Sequence, residues 1–370
     1  MRRPDKQTEG EIALVPDCGG LIDQVALTLP TGFLRSSHSD EWFQPLIPIG
    51  NLLKSFPAET LVFLLVDQGA LALAAAWVEA LAATCRIQFV PMTDGGAAVE
   101  SPWLQDVFHI RSGFGQGAVS GEILTLDGRP EGRALASFLG IATRPAMTGL
   151  HGGNQLVGDD FRLVGHNDVA GASGAAASLA LEAMDSRPVT SFGYQVSDLM
   201  RAAPDGVAAE LEARVHQFGF HVDQFVSVTG LLRDARPLLM VAEPHLPEGP
   251  PVPMVEDARR RLDASVSRLR RQGFEVLRNP VPWVVAPDSG KRLPRLYNNV
   301  IIENQSRAAG RKPLVWLPQF SDVEPLHTFD SRNREMWQGL GFEIVPVYGW
   351  SYFSSRNGAI RCVSKILRRS

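Results

Sequence analysis

The run Leu61-Val-Phe-Leu-Leu-Val66 is apolar at every position. A strand with one solvated face alternates apolar and polar residues, so an unbroken run of this length fits a strand covered on both faces. Residues 70 to 84 follow, Ala- and Leu-rich with Trp77 and few breakers, and read as a helix; Ile87-Gln-Phe-Val90 reads as the next strand. Strand, helix and strand make a β-α-β unit, which commits this part of the chain to an α/β arrangement.

Units of this kind recur without sequence self-identity. Residues 169–184 are Ala-rich and end in a helix, and Gly206 to His216 makes another. Asp257 to Arg271 carries six arginines with Leu262, Val266 and Leu269 on one stripe, the pattern of an amphipathic helix with a solvated face. Phe274–Leu277 and Val281–Val285 read as strands, the second at a sheet edge because of Pro282. The last repeat runs through strands at Leu296–Glu303 and Leu314–Pro318, a helix at Ser331–Leu340 and a strand at Gly341–Pro346. Residues 1–55 are mixed: Ile12–Val15 and Val25–Leu29 suit strands, and prolines and glycines break up the rest. That stretch is read as an N-terminal extension packed on a domain of residues 56–370.

The 370 residues are 45% hydrophobic and 21% charged, enough for a full core. A net charge of −4 implies no basic surface for nucleic acid or an anionic membrane. Lys365, Arg368 and Arg369 then read as a solvated terminus. Three scattered cysteines fit neither a disulfide framework nor a zinc site and point to a reducing compartment. Residues 1 to 12 have no apolar segment, and no run approaches a membrane span. The expected location is cytoplasmic; an effector exported without a signal peptide would look the same.

A few residues stand out against this background. Asp106 lies within the apolar Trp103-Leu-Gln-Asp-Val-Phe108, where a buried carboxylate needs a donor or a cation, although a loop cap would also account for it. Gly152-Gly153-Asn154 suggests a tight turn or close backbone approach, without the spacing that cradles a phosphate. By alternation, His221, Asp223 and Phe225 share one face of a strand, which is either a general base beside a carboxylate or a polar face. Arg356-Asn-Gly358 is a turn signal, and Cys362 just beyond it opens a short strand. A thiol there is either a small core residue or a nucleophile.

Taken in order, these residues resemble the guanidino-group-modifying (pentein) superfamily, and most closely the catalytic domain of protein-arginine deiminases. Trp103-Leu-Gln-Asp106 is similar to that family's Trp-x-Gln-Asp, Gly152-Gly153 to its Gly-Gly turn, and His221-Val-Asp-Gln-Phe225 to its His-Val-Asp-x-Phe. Arg356-Asn-Gly-Ala-Ile-Arg-Cys362 resembles its closing Arg-x-Gly-x-Val-His-Cys. The resemblance covers roughly residues 60 to 370 and implies a five-bladed α/β propeller of ββαβ modules with the site at its axis. It also implies deimination of peptidyl arginine to citrulline and ammonia. Cys362 is the implied nucleophile, His221 the acid and base, and Asp106 and Asp223 the clamp on the guanidinium plane. Trp103, Arg356, Gly153, Asn154 and, more remotely, Arg129 and Arg133 are implied contacts to substrate.

Two carboxylates favour a cationic ligand over a neutral one. The Cys362 thiolate would then be favoured by protonated His221 or by the substrate's own charge. No metal is implied. Val107 and His109 stand where the animal enzymes hold calcium with acidic residues, and only Asp127 matches a calcium ligand. Arg361 replaces the family's His and, on an alternating strand, would point away from the site. His151 stands where the free-arginine and agmatine branches carry Glu, which favours a protein-arginine pattern. The implied partners are an arginine-containing protein or peptide and, for the oligomer, a homodimer. Small-molecule guanidine deimination, amidinotransfer and an inactive binding protein are the competing readings.

Overall fold

The computed structural model describes residues 12–35, 44–92, 99, 101–112, 121–126, 128–168, 174–199, 215–247, 249–286, 289–321 and 326–370. The expected helix at Gly206–His216 lies almost wholly outside these residues, and Asp127 lies outside them. The strands form five small sheets. In each, an antiparallel pair is followed by a helix and a strand that returns parallel, the ββαβ pattern.

The sheet around the opening apolar run has the order Ser364–Arg369, Ile22–Thr28, Leu61–Asp67 and Arg86–Met92. Leu61–Asp67 lies between parallel neighbours, with Val62 to Val66 all buried. Each large apolar side chain so buried contributes about 1.5–3 kcal/mol. Ser364–Arg369 pairs antiparallel with Ile22–Thr28, Ser364 opposite Leu27, so both ends of the chain meet in one sheet. The part of 1–55 described here is therefore no mere extension. It supplies the Ile22–Thr28 strand and the Leu46–Ser55 helix of this closing module. Long-range antiparallel pairing leaves no trace in local periodicity, so the domain division missed it.

The second module contains strands Phe108–Ser112, Gly121–Thr125 and Ala142–Pro145 with helix Glu131–Leu139. The third contains Gln155–Val157, Arg162–Gly165 and Val189–Phe192 with helix Gly174–Met184. The fourth is Val226–Arg233, Arg236–His245 and Glu275–Val285, edged by Arg292–Pro294, and the fifth Ile301–Glu303, Leu314–Gln319 and Glu343–Tyr348. Helix Pro253–Arg271 buries Val255, Ala258, Leu262, Val266 and Leu269, while Arg259, Arg260 and Arg261 pair with Glu256 and Asp257 on its outer side. Among the described residues no helix is long and apolar enough to cross a membrane.

One strand departs from expectation. Glu275–Val285 is continuous and has neighbours on both sides, although Pro282 suggested an edge. A residue's N–H and C=O leave a strand on the same side, and Pro282 O accepts from Arg295 N. The absent donor therefore faces away from the Arg236–His245 ladder and costs it no bond.

Candidate active site

The first strand of each module is entered through a short turn, and these five turns carry the candidate residues. Leu104–Asp106 precedes Phe108–Ser112, Gly152–Asn154 precedes Gln155–Val157, and Val222–Gln224 precedes Val226–Arg233. The loop Tyr297–Val300 precedes Ile301–Glu303, and the one-turn helix Ile360–Val363 precedes Ser364–Arg369. Asp106, Gly153, the His221 and Asp223 pair, Asn299 and Cys362 are thus delivered by equivalent positions of successive modules.

Two of these turns differ from the alternation expected in sequence. Val222–Gln224 is a 3-10 turn, with His221 extended ahead of it and capped by Gln224, whose Oε1 accepts the His221 N–H at 3.1 Å. Cys362 lies in the helical turn before its strand, not in the strand. A helical turn places neighbouring side chains about a third of a circle apart rather than on opposite faces. Arg361 consequently turns into the site instead of away from it.

Asp106 and His221 face each other, with Oδ2 3.6 Å from Nδ1. Gly153 locks this pair from behind, donating its N–H to Asp106 Oδ1 at 2.7 Å. A Cβ at Gly153 would lie 2.6 Å from His221 Nδ1 and 2.8 Å from Asp106 Oδ1, so only glycine allows this approach. Asn154 holds the next turn: its Oδ1 accepts the Val222 N–H at 3.2 Å and the Gln217 side-chain amide at 2.8 Å. On its other nitrogen, Nε2, His221 meets His151 Nδ1 at 3.2 Å.

Cys362 Sγ lies 3.6 Å from Asp223 Oδ2 and receives the Asn299 side-chain N–H at 3.1 Å. Asn299 Oδ1 accepts the backbone N–H groups of Cys362 and Ala359, so one amide fixes both the thiol and the turn that carries it. Asp223 is fully buried; its Oδ2 accepts from Arg361 Nη1 at 2.7 Å, and its Oδ1 has no hydrogen-bond partner among the described residues. Arg361 is anchored further by Asp17 through Nε at 2.8 Å and by the Gly152 and Gln155 carbonyls. No hydrogen bond joins Cys362 to His221; Asp223 and Asp106 are the groups whose charges reach both.

The electrostatics follow from burial beside carboxylates. Burial, and then Asp223 and Asp106, push the Cys362 thiol well above the ordinary thiol range. Burial raises Asp223 too, against the lowering effect of Arg361 and His221. Burial opposes the Arg361 charge, but Asp17 and Asp223 outweigh it and hold the guanidinium protonated. In the resting site the thiol is therefore protonated, and a cation placed between Asp223 and Asp106 would bring it down. Of the two sources of thiolate expected from the sequence, substrate charge is the one this arrangement favours.

The remaining candidates separate. Trp103 packs closely against Gly358 and edge-on to Phe353, forming a wall beside the Arg356-Asn-Gly358 turn. Asn357 has φ 68°, as the turn signal required. Arg356 is exposed, its guanidinium folded over the Tyr352 ring 3.9 Å away. Arg129 and Arg133 are exposed near the helix Glu131–Leu139 and make no hydrogen bond or ion pair with the cluster. Val107 is buried in the core and His109 Nε2 bonds Leu150 O at 2.7 Å, so neither offers a calcium ligand.

The C-terminal basic residues are not a solvated terminus. Lys365 and Arg369 are buried, and with Arg361, Asp17, Gln105 and His109 they line a cavity of about 40 Å³ that touches neither Cys362 nor His221. Lys365 donates to Gln105 O at 3.3 Å, and burial beside Arg361 lowers it to about 7. Asn299, Asp17 and Arg361 are the site residues that sequence reasoning missed or misdirected. Asn298-Asn299 within Leu-Tyr-Asn-Asn-Val-Ile-Ile was the available signal, since a buried amide in an apolar run needs partners.

No protein-family model matches the chain, and no curated protein matches it in sequence. Solved structures do. A candidate agmatine deiminase aligns with TM-score 0.65 at 14% identity, covering 97% of this chain and 96% of its own. The agmatine deiminase of Enterococcus faecalis gives the same TM-score, identity and coverage. A candidate peptidyl-arginine deiminase aligns with TM-score 0.64 at 13% identity, covering 97% of this chain and 99% of its own. The five ββαβ modules and this likeness over nearly the whole length show that the chain shares the fold of these deiminase structures.

Proposed function

We propose that this chain hydrolyses a C–N bond of a guanidinium group, releasing ammonia and leaving a ureido product. The observation that carries the reading is Asp223 Oδ1: a carboxylate oxygen that is buried, lacks a hydrogen-bond partner among the described residues, and belongs to the carboxyl group in contact with the Cys362 thiol. Such an atom is costly unless a donor fills the site. Asp106, whose Oδ2 faces His221, supplies the second anionic wall. A planar cation with N–H groups on both sides meets both needs.

The steps follow from these positions. Bound between Asp106 and Asp223, the guanidinium offsets the charges that hold the thiol up, and the Cys362 proton is transferred to His221. Sulfur attacks the central carbon, the C–N bond breaks, and His221 gives a proton to the departing ammonia. With Nδ1 facing Asp106, Nε2 is the nitrogen that exchanges that proton. Water then enters, His221 takes one of its protons, the hydroxide adds to the central carbon, and the C–S bond breaks as the remaining O–H proton passes to sulfur, restoring the thiol and releasing the ureido product. Every group in this sequence comes from the chain, the substrate or water.

The finer reading is a peptidyl-arginine substrate, supported by the motif order from Trp103 to Cys362. The second reading, a small guanidino amine such as agmatine, is favoured by the depth of the site, with Cys362 only 3% exposed, and by the likeness to an agmatine deiminase. Colorimetric detection of ureido product from a blocked arginine peptide, free arginine and agmatine separates the two. Product from none of them, or product that persists in Cys362→Ala, would remove the proposal.

A further inference from the structure

His221 also faces two side chains, His151 and Asp168, that the hydrolytic chemistry leaves unused. We propose that His151 Nδ1, His221 Nε2 and Asp168 Oδ2 form a binding site for a divalent transition-metal ion of the zinc class. One ligand atom from each of these residues lies within 4.8 Å of the other two, and His151 Nδ1 and His221 Nε2 are 3.2 Å apart. Two nitrogens bound to a tetrahedral zinc at about 2.0–2.1 Å are separated by about 3.3 Å, so the histidine pair already has the spacing of metal ligands. Asp168 Oδ2 stands 3.8 Å from His151 Nδ1 and accepts the His151 backbone N–H at 3.0 Å, which ties the carboxylate to the same turn.

The surroundings fit an ion as well as the ligands do. Metal-bound histidines commonly direct their other nitrogen to a carboxylate, and His221 Nδ1 faces Asp106. The Phe220 ring stacks on His221 at 4.1 Å and leans on His151, so one wall is apolar. Access is from the His151 side: its side chain is 38% exposed, that of Asp168 12% and that of His221 3%. Two imidazoles and one carboxylate suit zinc, copper or nickel over magnesium or calcium, and three protein ligands leave a coordination position open.

Resting on the proposed function, one consequence is that the ion takes the Nε2 lone pair needed for proton transfer and stops turnover. The test uses the full chain with zinc and with cobalt. Equilibrium dialysis is expected to find one ion per chain, and cobalt to show the visible absorption of tetrahedral coordination without a thiolate band. His151→Ala and Asp168→Asn should each weaken binding at least about tenfold, while Cys362→Ser leaves it unchanged. No binding by the unaltered chain, binding unmoved by both variants, or binding lost in Cys362→Ser overturns the site. Zinc that binds as described without slowing hydrolysis leaves the site standing and removes His221 as the proton carrier. A chain with no turnover on any guanidinium leaves dialysis to decide the site alone.

Discussion

Arg361 Nη1 and Asp223 Oδ2 are 2.7 Å apart, and the Cys362 thiol approaches that same carboxylate oxygen. The chain thus places a guanidinium of its own on one oxygen of the residue expected to clamp a substrate guanidinium, and leaves the other oxygen open. The proposed clamp is therefore Asp106 together with the remaining oxygen of Asp223. Arg361 also ties Asp17, from the N-terminal region, to the Gly152 and Gln155 carbonyls of the third module.

Truncating Arg361 should therefore destabilise the fold. Arg361→Met leaves Asp223 and Asp17 without their cation, and breaking a buried pair from one side costs about 3–5 kcal/mol. The urea midpoint should fall accordingly. Adding Asp223→Asn to Arg361→Met removes one orphaned charge and should recover part of the loss. A double variant no more stable than Arg361→Met would show that the two side chains are not coupled.

Asp106 and Asp223 both hold the Cys362 thiol up, so removing either charge should lower its pKa. Asp106→Asn is the milder change, because Gly153 N–H can still find an amide oxygen at that position. At pH 8 a neutral alkylating reagent should modify Cys362 faster in Asp106→Asn than in the unaltered chain, while turnover falls. A cationic alkylating reagent should show the opposite preference. Equal neutral-reagent rates in the two proteins would mean that Asp106 has no electrostatic hold on the sulfur.

Asn299 should behave as a positioning residue. Asn299→Leu removes the donor to Sγ and strands the buried N–H groups of Cys362 and Ala359, each costing about 1–3 kcal/mol. Misplacing a nucleophile by about 1 Å can cost roughly 10²-fold in rate, so kcat should drop by that order with KM nearly unchanged. A rise in KM alone would assign Asn299 to substrate binding instead.

What the sequence made legible was whatever local chemistry dictates. The Leu61–Val66 run is a buried strand, the Arg-rich helix shows its amphipathic face, and the Asn357-Gly358 turn has its positive φ at Asn357. Asp106, His221 and Gly153 came together from motif order alone. The misreadings share one cause: period-2 alternation was carried through His221–Phe225 and Ile360–Cys362, where the backbone is a helical turn. That error turned Arg361 outward. Asp17 was invisible for another reason, since its partners lie at Val157 and Arg361, far along the chain. The charge of Lys365 and Arg369 suggested solvent, but strand pairing with Ile22–Thr28 draws both inside.

Burying Lys365 should leave a signature in the pH dependence of stability. Its pKa falls from the usual 10.5 to about 7 through burial and the nearby Arg361 charge. Above pH 7 the folded chain has released a proton that the unfolded chain still holds, so stability rises with pH across that window. The slope approaches roughly 1.4 kcal/mol per pH unit. His109, held at about 3 by burial and Lys365, stays neutral throughout, and Arg361 stays charged. Above about pH 8.5 the raised buried thiols Cys18 and Cys362 oppose the trend, because the unfolded chain then loses protons that the folded chain keeps. Urea midpoints between pH 7 and about 8.5 should therefore climb in the unaltered chain and flatten in Lys365→Met. Parallel slopes in the two proteins would show that the Lys365 amine titrates as an ordinary solvated lysine.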